Sequence, residues 1–75
     1  MNKQQRNVLR ACKYDLSRCS DIISGVIDQE SDKVDNIPEN LMEAEKFQLM
    51  ESRIDDLYDI DSSIQEAISS LSDIV

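Results

Sequence analysis

Four carboxylates in the second half of the chain, Asp55, Asp59, Asp61 and Glu66, are spaced somewhat like the ligands of a calcium-binding loop. Such a loop needs a central glycine for its sharp turn, and none lies among them. The whole chain has one glycine and no histidine, whereas general acid–base catalysis relies most often on histidine and phosphate loops need several glycines. We therefore predict a protein that is not an enzyme and that binds no metal or cofactor.

The two cysteines, Cys12 and Cys19, are seven residues apart. On a helix this separation is about 10.5 Å along the axis, and a disulfide needs Cα atoms within about 7 Å. We expect both to be buried as small apolar residues in a reducing compartment, with intermolecular bridging or thiol reactivity as the alternatives. Because no stretch approaches about 20 apolar residues and residues 1–13 lack an apolar signal core, we predict a cytoplasmic protein without a membrane partner.

Charge is unevenly distributed along the chain, which has a net charge of −8. Residues 1–27 carry a net charge of +3 and residues 28–75 a net charge of −11. Glu51, Asp55 and Asp59 recur every four residues, about 6 Å apart along a helix, so they are candidates for a partner-facing acidic row. Such a row can imitate a nucleic-acid backbone, and the alternative is a face that serves only solubility.

A basic stripe, formed by Lys3, Arg6, Arg10 and Lys13, lies on one face of the first predicted helix. Four bases could hold phosphates, but the protein is strongly acidic and no aromatic residues for stacking bases lie between them. Direct nucleic-acid binding is therefore not favoured. A solvated or intramolecularly paired face and an acidic protein partner are both left open.

The only proline, Pro38, must interrupt any helix near the middle of the chain. On both sides of it apolar residues recur every three or four positions. The sequence predicts one all-α domain over residues 1–75, an antiparallel two-helix hairpin. Its elements are a helix over 3–32, a turn over 33–42 and a helix over 43–73.

Each predicted helix has an apolar seam of the coiled-coil type. The first seam comprises Leu9, Cys12, Leu16, Cys19, Ile23 and Val26, and the second comprises Phe47, Met50, Ile54, Leu57, Ile64, Ile68 and Leu71. Asp61 falls on the strict spacing, and we expect the apolar stripe to pass through Ile60 instead. Folding back at residue 37 would place Cys19 opposite Leu57. Gly25 marks either a close backbone approach or a local bend.

The apolar stripes are wider than one neighbouring helix can cover, because Val8, Ala11, Ile22 and Ile27 extend the first seam. A chain of 75 residues also buries little surface by itself. We therefore predict that two hairpins pair into a four-helix bundle as a homodimer, with higher even oligomers as the alternative. The residues predicted to mediate self-association are Leu9, Leu16, Ile23, Ile54, Leu57 and Ile64.

The turn Asn36-Ile37-Pro38-Glu39-Asn40-Leu41, followed by an acidic amphipathic helix, resembles that of small uncharacterised hairpin proteins of phages and bacterial mobile elements. These carry an Asn-Leu/Ile-Pro-Glu-x-Leu turn between two long helices. The resemblance implies a helical hairpin with an accessory role and supplies no functional residues. We predict a non-enzymatic interaction or regulatory protein. The alternatives are an acidic inhibitor that occupies the nucleic-acid site of a host or defence protein, and a subunit of a larger assembly.

Overall fold

Two long helices on either side of Pro38 lie side by side. The computed structural model describes residues 1–41 and 44–75, in which helix α1 spans Lys3–Asp35 and helix α2 spans Glu45–Ile74. The helices pack along each other as a hairpin with principal extents of 60 × 15 × 13 Å. The described part of the chain is all-helical, as the sequence predicted.

Helix α1 begins with a reciprocal cap. The backbone N–H of Gln5 donates to Asn2 Oδ1 over 2.7 Å, and the backbone N–H of Asn2 donates to Gln5 Oε1 over 3.0 Å. This capping box satisfies donors that the first helical turn leaves without partners. Helix α2 starts after Ala44, which makes no side-chain cap bond.

The connection between the helices lies later in the chain than predicted, because α1 ends at Asp35 and α2 begins at Glu45. Helix α1 continues to Asp35, three residues beyond the predicted end at 32, and stops before Pro38. A 3₁₀ turn over Glu39–Leu41 follows, in which the N–H of Leu41 donates to the carbonyl of Pro38 over 2.9 Å. The predicted start of the second helix, residue 43, lies outside the described residues. The centre of the connection therefore falls near residue 40 rather than 37.

Part of the seam of α1 lies one residue later in the chain than the predicted seam. Its half-buried and buried positions include Leu9, Lys13, Leu16, Ser20, Ile23, Ile27 and Val34. Cys12 and Cys19 are exposed and Val26 is 38% exposed, so their predicted burial is wrong. Lys13 and Ser20 take the places expected for the cysteines, because a seam covered by one helix stays partly wet and a lysine stem can lie along it with its amine in water.

The seam of α2 keeps strict alternating spacing over its length. Its half-buried positions are Phe47, Met50, Ile54, Leu57, Asp61, Ile64, Ile68 and Leu71. The predicted detour through Ile60 is wrong, since Ile60 is 49% exposed and Asp61 is half-buried on the seam. Helix α2 therefore accepts a carboxylate in its seam rather than shifting its apolar stripe.

The register between the helices also differs from the prediction. Ser20 is hydrogen-bonded to Asp61 and Gln65, whereas the sequence placed Cys19 opposite Leu57. The partner positions on α2 thus lie at least one helical turn further along. The later centre of the connection accounts for the direction of this shift.

Gly25 lies in the interior of α1 without a close neighbour from elsewhere in the fold. A Cβ atom built on Gly25 meets nothing within 4 Å, and its φ is not positive. Within one chain, the interpretation of Gly25 as a site of close backbone approach is therefore wrong.

Replacing Gly25 with alanine should stabilise the protein by about 0.4–1 kcal/mol, because alanine loses less backbone entropy in a helix and meets no steric obstacle. Urea unfolding monitored by circular dichroism measures the change. Ser24→Ala, on the neighbouring exposed position, is the matched control and should have a smaller effect. A loss of stability in Gly25→Ala would contradict the prediction.

Candidate interaction surface

A polar layer interrupts the apolar seam near its middle. The hydroxyl of Ser20 donates to Asp61 Oδ1 over 2.5 Å and accepts from Gln65 Nε2 over 2.6 Å. Ser20 is only 4% exposed, and every buried side-chain polar atom in the described residues has a hydrogen-bond partner. Because sliding one helix past the other would leave the Ser20 hydroxyl without these partners, the layer specifies the register.

The hairpin has two broad faces of different character. An antiparallel helix pair has an approximate two-fold axis normal to its plane, so residues one position before a seam residue share one face on both helices. The structure agrees, because Lys33 and Lys46, which precede seam residues, line one cleft at the turn. Asp35, Glu51 and Asp55, which follow seam residues, line a separate cleft. We call the first side the apolar face and the second the polar face.

The apolar face exposes a row of aliphatic side chains and both thiols. Its members are Val8, Cys12, Cys19, Ile22 and Val26 on α1 and Leu49, Ile60, Ala67 and Ile74 on α2. The large aliphatic members are between 38% and 63% exposed. Isolated apolar side chains on a surface are ordinary, whereas several that share one face are a candidate interaction site.

The six residues predicted to mediate self-association lie elsewhere. Leu9, Leu16, Ile23, Ile54, Leu57 and Ile64 are half-buried in the contact between α1 and α2 of a single chain. Their contact with a second copy stays a prediction. Sequence reasoning included Val8 and Ile22 among residues that widen the first stripe, but it did not separate the apolar face from the seam. The one-residue offset shared by both helices was the available signal.

The structure brings together part of the predicted acidic row. Glu51 and Asp55 lie on the polar face and share a cleft with Asp35 of α1. Asp59 is exposed and falls further round α2, away from that cleft. The cleft therefore contains two of the predicted acids, Glu51 and Asp55, together with Asp35. Asp35 belongs to α1 and is not part of the four-residue repeat on α2.

The basic stripe makes few contacts inside the chain. Lys13 Nζ donates to Ser72 Oγ over 3.1 Å, and Arg10 Nη1 donates to Asn7 Oδ1 over 2.8 Å. The ion pair found among the described residues, Lys33–Glu30 at 2.9 Å, lies within α1. Across residues 1–41 and 44–75, no ion pair thus joins the two helices, and the stripe contacts α2 through the Lys13–Ser72 hydrogen bond.

The acids that resembled a calcium loop belong to helix α2. In the described ranges, no group of three or more histidine, cysteine, aspartate or glutamate side chains is placed to hold a metal ion. No helix among the residues that the structure covers combines the length and apolarity needed to cross a membrane. Comparison with family models, curated proteins and solved structures yields no match.

The polar layer predicts energetic coupling between its members. Ser20→Ala and Asp61→Ala should each lower the free energy of unfolding by about 1 kcal/mol, and the double variant should lose less than the sum because both remove the same hydrogen bond. Urea titrations of the four proteins measure this coupling. Asp61→Ala combined with Ser69→Ala, about 12 Å apart along α2, is the control pair and should be additive. Additivity in the Ser20–Asp61 pair would contradict the role of the layer.

Proposed function

We propose that this chain is a non-enzymatic interaction protein, with an accessory or regulatory role, whose working form is a self-associated four-helix bundle. Burial within one hairpin is the observation that carries this proposal. Ile27 is the one hydrophobic residue classed as buried among those described. A single chain whose apolar residues stay mostly half-exposed to water gains little hydrophobic stabilisation by itself.

The surface area supports the same conclusion. The hairpin exposes 5827 Å², whereas a folded monomer of 8.6 kDa exposes about 4,700 Å². The excess is about 1,100 Å² per chain, and a standard interface buries about 800 Å² per partner. The radius of gyration, 17.3 Å, likewise exceeds the value of about 11 Å for a compact domain of this length. Association with a second copy would remove the excess surface area.

Sedimentation equilibrium at micromolar concentration should give twice the chain mass of 8.6 kDa. Leu16→Asp should lose both the dimer mass and helical content, because a charge in the seam removes the contact that orders the hairpin. Ser24→Asp, at an exposed position of the polar face, is the matched control and should keep both. A folded monomer at these concentrations would refute the proposal.

A second candidate is an acidic inhibitor that occupies the nucleic-acid site of another protein. The cleft lined by Asp35, Glu51 and Asp55 supports it, since carboxylates from two rigid helices present fixed negative charges on one face. Such an arrangement can compete electrostatically with a phosphate backbone.

The inhibitor candidate predicts recovery of a nucleic-acid-binding enzyme from bacterial lysate with the immobilised protein, and its release by salt. The double variant Glu51→Lys and Asp55→Lys, which reverses both α2 charges of this cleft, should abolish recovery. Glu66→Lys with Asp73→Lys, which reverses the same number of charges toward the open end of α2, should retain it. Equal recovery by both double variants would exclude the acidic row as the binding surface.

A further inference from the structure

We propose that a second copy of this chain docks on the apolar face in head-to-tail orientation, so that the two turns lie at opposite ends of the bundle. This inference rests on the proposed self-association and adds to it the face and the direction of pairing. The experiments below separate these two additions from the association itself.

The angle between the seam and the apolar face suits a four-helix bundle. Consecutive residues on a helix are about 100° apart around its axis, so the apolar face is displaced by that angle from the seam. In a square bundle each helix contacts two neighbours roughly 90° apart. The seam of each helix meets its partner within the chain, and the apolar face is then directed at the second hairpin.

The opposite face does not offer the same contact. The residues that follow the seam positions are mainly serines, carboxylates, glutamines and two tyrosines. Burying carboxylates against those of another copy would remove charges from water without partners. A second copy therefore covers the apolar face and leaves the polar face in solvent.

The direction of pairing follows from charge. The polar layer at Ser20 and Asp61 lies near the middle of the hairpin and divides it into two halves. Residues 21–61, the half that includes the turn, carry a net charge of −10, whereas residues 1–20 and 62–75 together carry +2. Head-to-tail pairing places each strongly acidic half beside a weakly basic half. Same-direction pairing would place the two acidic halves together.

The spacing between packed helices is short enough for charge to favour one direction of pairing over the other. Packed helices lie about 8–10 Å apart, which is comparable with the screening length of about 8 Å at physiological ionic strength. Repulsion between two acidic halves would therefore be only partly screened. The bases near the turn on the apolar face, Lys33, Lys46 and Arg53, would in head-to-tail pairing meet the half of the second copy that carries Glu66 and Asp73 of α2.

Distances between spin labels test the direction. The background is Cys12→Ala with Cys19→Ala, first shown by sedimentation to remain dimeric, and the label is attached at Asn40→Cys in the turn. Head-to-tail pairing should give a turn-to-turn distance that approaches the 60 Å length of the hairpin. A distance below about 30 Å would indicate same-direction pairing, since bundle helices lie 8–10 Å apart, and would overturn the inference. A label at Ser62→Cys, near the middle of the hairpin, should give a distance well below 60 Å whichever direction the copies pair, and it thus reports the dimer itself.

Paired substitutions test the face. Ile22→Glu and Ile60→Glu, on the apolar face, should each raise the dimer dissociation constant roughly tenfold or more, because each removes a buried aliphatic side chain and introduces a charge. Tyr14→Glu and Tyr58→Glu, at exposed positions of the polar face, are the matched controls and should leave it unchanged.

The outcomes are distinguishable. A native chain that sediments as a folded monomer refutes the proposed function itself. A native dimer that dissociates with the tyrosine variants and persists with the isoleucine variants refutes only the choice of face. The label distances are measured in a background that keeps these four side chains, so they report direction even where a substitution unfolds the hairpin.

Discussion

Two helices packed along one line can bury only the side chains on that line, and this geometric limit governs the whole molecule. Ser20 and Ile27 are the two residues classed as buried in the described ranges, although both helices exceed eight turns. Every other seam position keeps contact with water. The hairpin can therefore include polar and charged residues in its seam, but the seam alone supplies little apolar burial.

The polar layer, formed by Ser20, Asp61 and Gln65, fixes the register of the two helices within this partly exposed seam. Apolar side chains repeated every seven residues allow a helix pair to slide by a heptad with little change in contacts. The bonds of Ser20 to Asp61 and Gln65 are lost on sliding, so they select one register. Buried polar groups in helical seams are best known for this kind of specificity rather than for added stability.

The sequence predicted the features that follow from local rules. Pro38 breaks the helix, and the long apolar repeats give two helices of nearly equal length. The prediction was wrong on α1, where two candidate seams lie one residue apart. Cys12 and Cys19 are more apolar than Lys13 and Ser20, so the sequence favoured the seam that contains the cysteines. The choice between these seams depends on hydrogen bonds between residues 41 and 45 positions apart. Such bonds leave no periodic signal in either helix, and the division into an apolar and a polar face depends on the same choice.

The placement of charge along a rod 60 Å long also gives each chain a large electric dipole. A positively charged surface would exert a torque on an unpaired chain before any contact forms, and the rod would rotate so that its turn approaches first. In the head-to-tail dimer the two dipoles oppose each other. Long-range orientation of this kind narrows the set of encounter geometries. An unpaired rod thus presents its turn to cationic surroundings, whereas the head-to-tail dimer presents an acidic turn at each end.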